Sequence, residues 1–287
     1  MAIIGVGLIG GSLAKVLKAE RLADEIVGAG RSREGLERAL ALKVIDRIAD
    51  GPEDAVKGAD MVVLASPVGS FEGIVRGTGH LMKQDAILTD VGSVKGRLVA
   101  AIDRHLPDGV RFVPAHPIAG KEKSGVEEAT ETLFKNARCI ITPTKKTDHS
   151  ALDVVRFVWE RAGAGVIIMD PELHDKVFAA VSHLPHVAAY ALVCAVAEMS
   201  TGTEDYISFS GAGFRDFTRI AASSPEMWRD ICLMNSDNVV HMIERFQFSL
   251  SRLKKAIERG DGTAVEKIFK QARDVRKGLD QKDPRTH

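Results

Sequence analysis

Ala2-Ile3-Ile4-Gly5-Val6-Gly7-Leu8-Ile9-Gly10-Gly11-Ser12-Leu13-Ala14 opens the chain. A short apolar run, a glycine-spaced turn and a helix-like stretch follow one another without a gap. Gly5, Gly7 and Gly10 have G-x-G-x-x-G spacing. The first glycine permits a tight turn, the second lets the backbone approach a pyrophosphate, and the third lets helix and strand pack closely. A helix starting here also offers free N–H groups to phosphates. Gly5, Gly7, Leu8, Ile9 and Gly10 are therefore the candidate cradle for a dinucleotide; the bland alternative is a glycine turn without a ligand. The strand before the turn is short against the usual ~5–6 residues, so either a few natural residues precede it or the strand is simply brief.

Working outward, short runs rich in Val and Ile alternate with amphipathic stretches. Candidate strands are Ala2–Ile4, Glu25–Ala29, Met61–Ala65, Ala86–Val91, Arg111–Pro114, Cys139–Thr142 and Gly165–Met169. Helical spacing fills Gly10–Ala19, Arg33–Leu42 and Ala151–Arg161. Strands apolar on both sides, separated by helices, predict a Rossmann-type, doubly wound parallel α/β sheet. After Asp170 no convincing strand remains, and Glu172–Met199, Glu226–Ala256 and Thr263–Gly278 read as long helices. The expected division is a dinucleotide-binding domain over 1–170 and an all-helical domain over 171–287, with Pro171 suited to a helix start. Glu172–Met199 carries Val177, Val181, Leu184, Val187, Leu192 and Val196 among many alanines. That is too much apolar surface for an exposed helix and predicts a helical core or a dimer interface.

Lys+Arg and Asp+Glu both number 39, so net charge is close to zero. This argues against a nucleic-acid partner held by phosphate neutralisation. A small anionic substrate needs only one or two local cations. Cys139, Cys194 and Cys232 lack C-x-x-C spacing, which leaves reduced, mostly buried thiols and a cytoplasmic setting as the simplest reading. No uninterrupted apolar run reaches the ~18–20 residues of a membrane span.

The second strand ends Val27-Gly28-Ala29-Gly30-Arg31-Ser32-Arg33. An NAD site usually has Asp or Glu here for the ribose 2′-OH. Gly30 stands in that place, while Arg31, Ser32 and Arg33 suit a 2′-phosphate. The cofactor is read as NAD or NADP, with NADP slightly favoured; solvated arginines are the alternative. Ser66 and Pro67, just past the third strand, complete the candidate cofactor residues.

Asp90-Val91-Gly92-Ser93-Val94-Lys95 and Ala115-His116-Pro117-Ile118-Ala119-Gly120-Lys121-Glu122 follow two later strands. Open α/β sheets bind ligands at such carboxyl ends. His116, held by Pro117 and followed by Gly120 in what reads as a fixed loop, is placed to accept a hydroxyl proton. Ser93 is the candidate partner that sets its tautomer. A histidine satisfied by backbone is an equal reading on spacing alone. His183 and His186, three apart, share a helix face. With His174 and Asp175 nearby, a metal site is conceivable, against capping or core histidines. Arg215 and Arg219, four apart, suit carboxylate recognition, or a solvated face paired with Asp216 and Asp230.

Taken together, GVGLIGGSLA (5–14), LTDVGSVK (88–95), HPIAGKEKSG (116–125), SHLPH (182–186), GFRDFTRIA (213–221) and MWRDI (227–231) resemble the prephenate dehydrogenase family, with its arogenate and cyclohexadienyl relatives. The resemblance implies a Rossmann domain followed by a helical domain that forms a homodimer. It implies oxidative decarboxylation of prephenate, with hydride passing to NAD(P) and no metal. It places His116 at the catalytic histidine, Ser93 at the serine beside it, and Arg219 at the side-chain carboxylate. His186 falls at a pocket histidine and Glu122 at an acidic pocket residue; Arg215 joins the candidate substrate residues. It leaves no segment for a chorismate mutase or ACT domain. Two other readings are a β-hydroxyacid dehydrogenase, for which Lys176 would be the catalytic lysine, and a non-catalytic dinucleotide sensor.

Overall fold

The structure, a computed structural model, describes residues 1–120, 124–200 and 205–280. It separates into two compact units, Met1–Ser236 and the segment from Asp237 onward. In the first unit β1 (Ala2–Ile4), β2 (Val27–Ala29), β3 (Arg47–Ile48), β4 (Met61–Leu64), β5 (Ile87–Asp90) and β6 (Arg111–Val113) form one sheet in the order β3-β2-β1-β4-β5-β6. Every pairing in it is parallel. Helices α1 (Leu8–Ala19), α2 (Arg33–Ala41), α3 (Pro52–Ala55), α4 (Phe71–Thr78) and α5 (Gly96–Asp103) connect the strands.

The alternation within each strand divides the core. Ile3, Val63, Ile87 and Val113 join Leu13, Leu17 and Trp159 in one cluster, while Ala2, Ile4, Val62, Leu64 and Leu88 join Phe71 and Ile102 in the other. Successive strand residues point to opposite faces, so both faces are covered and a polar residue on either would be buried. Each fully buried Leu, Ile or Phe contributes roughly 1.5–3 kcal/mol. β3 carries no pattern in the sequence because it is only two residues long, Arg47 exposed and Ile48 half-buried.

The parallel sheet ends at β6. Pro114, which has no N–H to give a ladder, follows it, and the chain then enters a second sheet of β7 (Ala115–Ile118), β8 (Arg138–Ile141) and β9 (Gly165–Ile168). β7 and β8 are antiparallel, with His116 opposite Ile140. The expected loop around His116 is therefore a strand. Pro117 is tolerated because β7 is an edge strand. The candidate strands at Cys139 and Gly165 belong to this small sheet, and β9 is largely exposed instead of covered on both faces. Helix α6 (His149–Arg161), N-capped by Asp148, packs Trp159 against Phe134.

Asp170 accepts hydrogen bonds from the N–H groups of Glu172 and Leu173, and Pro171 occupies the first turn, so α7 (Pro171–Phe178) begins where the sequence predicts. The expected single helix to Met199 is interrupted. Pro185 brings no N–H to the Val181 carbonyl, and residues Ala179–His183 widen into a π turn in which the Leu184 N–H reaches the Ala179 carbonyl. Regular helix resumes as α8 (Leu184–Met199). Short α9 (Ala212–Thr218) ends before Arg219, which opens a 3₁₀ turn, Arg219–Ala222. Arg215 and Arg219 are therefore not on one continuous α-helix.

The expected helix over Glu226–Ala256 is also broken. α10 (Pro225–Met234) stops at Asn235, whose backbone leaves helical geometry, and α11 (Ser236–Glu258) follows. In the second unit α11 and α12 (Gly262–Asp280) are joined through Gly260, at φ +63°, with Asp261 capping Ala264. Phe248, Leu250, Ile257, Phe269 and Val275 are exposed there. In the first unit α8 buries only Ala189. The helical run Pro171–Met199 is in fact long and apolar enough to cross a bilayer by length and composition, contrary to the expectation that no stretch would be. Cys139 is buried, but Cys194 on α8 is exposed and Cys232 half-buried, so the thiols are not mostly buried.

Candidate active site

The glycine turn lies at the carboxyl end of β1, against the end of β4. Gly5 has φ +104°, and a Cβ there would sit 2.4 Å from the Ser66 nitrogen. A Cβ on Gly10 would sit 2.3 Å from the Gly5 carbonyl oxygen and 3.0 Å from Ile3, so α1 packs on β1 only because residue 10 is glycine. Gly7 is the opposite case: nothing lies within 4 Å of its notional Cβ. It caps α1 without a side chain, and no acid occupies the first turn of Leu8 and Ile9. Open space before unneutralised helix N–H groups fits a pyrophosphate. Ser66 and Ser70 share a 2.8 Å hydroxyl contact beside Pro67, which starts a 3₁₀ turn at Val68.

At the end of β2, Gly30, Arg31, Ser32 and Arg33 are exposed. Ser32 accepts the Gly35 N–H and caps α2. Arg31 grips Glu226 of α10 through two bonds, 2.7 and 3.0 Å. Arg33 pairs with Glu37 at 3.1 Å. Both arginines thus already hold carboxylates.

The end of β5 is tied to the start of β7. Buried Asp90 accepts from the Gly92 N–H at 2.8 Å and the Ala115 N–H at 3.1 Å, and binds the fully buried Lys95 ammonium at 2.5 Å. His116 stands beside this pair, 8% exposed. Its Nδ1 lies 2.8 Å from His174 Nε2, and His174 Nδ1 lies 2.8 Å from Asp175 Oδ1. Asp175 in turn accepts the N–H groups of Lys95 and Gly96, both at 2.8 Å, at the start of α5. Phe178 closes over both rings, 4.4 Å from His174 and 4.9 Å from His116. Loss of water drives the His116 imidazole well below its ordinary pKa, helped by His174, the Lys95 charge and His183. The ring is therefore neutral at neutral pH.

Ser93 is half-buried but is not the partner of His116 Nδ1; His174 is. The Ser93 carbonyl instead faces His183. His183 Nδ1 accepts from Asn235 at 3.1 Å, and the same amide donates to the Asp175 carbonyl at 2.8 Å. Sequence reading passed over Lys95, Asn235 and this use of His174 and Asp175. The contacts that bring them together, His116 with His174, Asp175 with Asn235 and Asp175 with the Lys95 N–H, span 58 to 80 residues, so no local spacing reveals them.

His183 and His186 do share a side: both rings meet Trp228, at 6.0 Å edge-on and 3.6 Å stacked. His186 Nδ1 donates to the Ser182 carbonyl at 3.0 Å. Burial lowers its pKa, the Ser182 bond opposes this, and the Arg219 charge lowers it further. Arg219 is exposed and close enough to His186 for that repulsion. Arg215, also exposed, donates to Ser210 at 3.4 Å, while Asp230 pairs with Arg229 instead. Glu122 lies outside the described residues. Among the described residues no three His, Cys, Asp or Glu side chains converge on a cation position.

A glycine cradle at the carboxyl end of one parallel sheet, with a desolvated imidazole just past the last strand of that sheet, defines the class of a dinucleotide-dependent oxidoreductase. Residues 13–168 match the family described as prephenate dehydrogenase, nucleotide-binding domain, and residues 170–271 match prephenate dehydrogenase, dimerization domain. The chain belongs to the prephenate dehydrogenase family and is an NAD(P)-dependent oxidoreductase. It is 38% identical to the prephenate dehydrogenase of Bacillus subtilis (strain 168) over 96% of this chain and 74% of that one. It is 35% identical to the cyclohexadienyl dehydrogenase of Zymomonas mobilis over 97% and 95% of the two. The crystal structure of prephenate dehydrogenase from Aquifex aeolicus with hydroxyphenyl propionate and NAD+ superposes with a TM-score of 0.91, at 43% identity and 97% coverage of each chain.

Proposed function

We propose that this chain oxidises and decarboxylates prephenate to 4-hydroxyphenylpyruvate in tyrosine biosynthesis, and accepts arogenate as a second substrate to give tyrosine. The observation that carries the reading is His116: a buried, neutral imidazole whose Nδ1 is engaged, which leaves Nε2 for a substrate hydroxyl. The names of the Bacillus and Zymomonas relatives and the ligands of the Aquifex structure support the substrate class. Lys176, the lysine a β-hydroxyacid dehydrogenase would require, is exposed beside buried His174 and Asp175, which favours the histidine.

Bound nicotinamide supplies the hydride acceptor, held at the pyrophosphate by Gly5, Gly7, Leu8, Ile9 and Gly10 and flanked by Ser66 and Pro67. His116 takes the ring-hydroxyl proton as the carbinol carbon loses its hydride. The ring carboxylate leaves as carbon dioxide, its bonding pair enters the ring, and the new phenolate recovers the proton from His116. Aromatisation drives the reaction, so the protein orients and desolvates. Arg219 holds the side-chain carboxylate, with Arg215 nearby in sequence. His186, fixed by Trp228 and Ser182, borders the substrate, and Ser93 lines the approach to His116. Residues 1–170 carry the nucleotide; 171–287 carry the substrate and a homodimer contact. The setting is cytoplasmic, and NADP binds at least as well as NAD because Gly30 offers no carboxylate to repel a 2′-phosphate. Reduced-cofactor formation from prephenate and from arogenate, each with NAD and NADP, tests the reading. No turnover of either substrate would refute it.

A further inference from the structure

We infer that His174 and Asp175 act with His116 as a buried three-member relay, in which they are positioning residues that hold His116 in its Nδ1–H form and aim a bare Nε2 at the substrate. The inference deepens the proposed function and rests on His116 being the base.

The proton positions follow from the donors around Asp175. Its Oδ1 accepts the Lys95 N–H and its Oδ2 the Gly96 N–H, so both oxygens already act as acceptors. A carboxylate has only lone pairs to offer. The 2.8 Å contact between Oδ1 and His174 Nδ1 therefore requires the proton on His174 Nδ1. Burial keeps His174 neutral, against the opposing pull of Asp175, so its Nε2 carries a lone pair. That lone pair lies 2.8 Å from His116 Nδ1. Two lone pairs would repel at this distance, so His116 Nδ1 bears the proton and Nε2 is free. Sequence spacing assigned this duty to Ser93, yet the Nδ1 position is filled by His174.

The arrangement is also rigid. His174, Asp175 and Phe178 lie on α7, which Asp170 and Pro171 start, and Asp175 is pinned to the first turn of α5. When His116 takes a proton, the new charge forms near the Lys95 ammonium, which opposes it, and in line with Asp175, which favours it. Asp90 neutralises Lys95 at 2.5 Å. The relay thus supplies the compensating charge without admitting water, as the carboxylate behind a catalytic imidazole does in hydrolase triads.

Nitrogen-15 NMR of the histidine rings at neutral pH, with His116→Asn identifying the His116 signals, reads the tautomer in the unaltered protein. The expected result is Nδ1–H on His116; an Nε2–H tautomer would overturn the relay. In His174→Phe, which keeps a ring against Phe178 but removes the acceptor, kcat should fall about 10²-fold, with KM and cofactor affinity within about threefold. His174→Gln, whose amide oxygen still accepts, should recover part of the loss. A His174→Phe enzyme within threefold of the original kcat overturns the relay alone. Loss of kcat together with cofactor affinity in both variants would mark a merely structural residue and also overturn it. If His116→Asn keeps full kcat, the base assignment itself fails, whatever the tautomer.

Discussion

The reading of Arg219 is tested by separating binding from chemistry. Its contact with a side-chain carboxylate would exist in both ground and transition states, so it contributes uniform binding. Arg219→Ala should raise the KM for prephenate about ten- to a hundredfold, the equivalent of roughly 1.5–3 kcal/mol for a charge-assisted bond, with a smaller effect on kcat. Arg219→Lys should recover only part, because an ammonium lacks the planar fork. Steady-state kinetics on both variants checks this, and an unchanged KM in Arg219→Ala would move the carboxylate elsewhere. At this scale the sequence was legible where one residue answers to one neighbour along the chain. Gly5, Gly7 and Gly10 show the tight turn, the open approach and the close packing expected of them. It was not legible for His174 and Asp175, whose roles arise only when α7 meets β7 and α5. A sequence pattern has no term for that meeting.

Among elements, the parallel strands were readable because each is apolar on both faces. Those that escaped had a specific reason. β3 is two residues long, and β7 contains Pro117, which argues against a strand everywhere except an edge. The breaks in the long helices follow from Pro185 and from Asn235, which turns its amide inward to Asp175 and His183. The start of α7 positions the relay, so its cap can be tested separately. Asp170→Ala removes the acceptor of two backbone N–H groups and should cost about 0.5–2 kcal/mol. Asp170→Ser should restore most of it. Thermal unfolding of the unaltered protein and both variants measures the difference. An Asp170→Ala midpoint equal to that of the unaltered protein would show that Pro171 alone starts the helix.

At the scale of the whole molecule, four histidines among the described residues are held neutral by burial: His116, His174, His183 and His186. His183 is lowered to about 4, chiefly by desolvation. In the unfolded chain each titrates near its ordinary 6.5. Between these values the unfolded state binds more protons, so stability rises with pH there. The contribution is complete above pH 6.5 and is lost as pH falls through the folded values; for His183 alone it amounts to about 3 kcal/mol. Asp46, Asp54, Asp60 and Asp148 are lowered from 3.8, and their contribution goes only at more acid pH. Urea midpoints should therefore decline well before the carboxylate range, and a flat midpoint between pH 6.5 and about 4 would contradict this assignment. The exposed faces of α8, α11 and α12 call for a partner of the same kind, as the dimerization-domain match supports. Sedimentation should give a dimer at micromolar concentration, and a stable monomer would leave those faces without an explanation.

The bond between Arg31 and Glu226 joins positions 195 residues apart. If a 2′-phosphate competes with Glu226 for the same guanidinium, nucleotide choice and the seating of α10 are thermodynamically reciprocal. α10 also carries Trp228, the ring on which His186 stacks. An NADP-loaded protein would then hold that helix less firmly than an NAD-loaded one, and the bound nucleotide would tune the aromatic wall beside the substrate. Glu226→Gln should tighten NADP more than NAD in fluorescence titrations, and Gly30→Asp should do the reverse by repelling the phosphate. Equal affinities for both nucleotides in both variants would mean that the clamp is only a surface ion pair. With competition, the choice between two coenzymes becomes a choice between two settings of a helix.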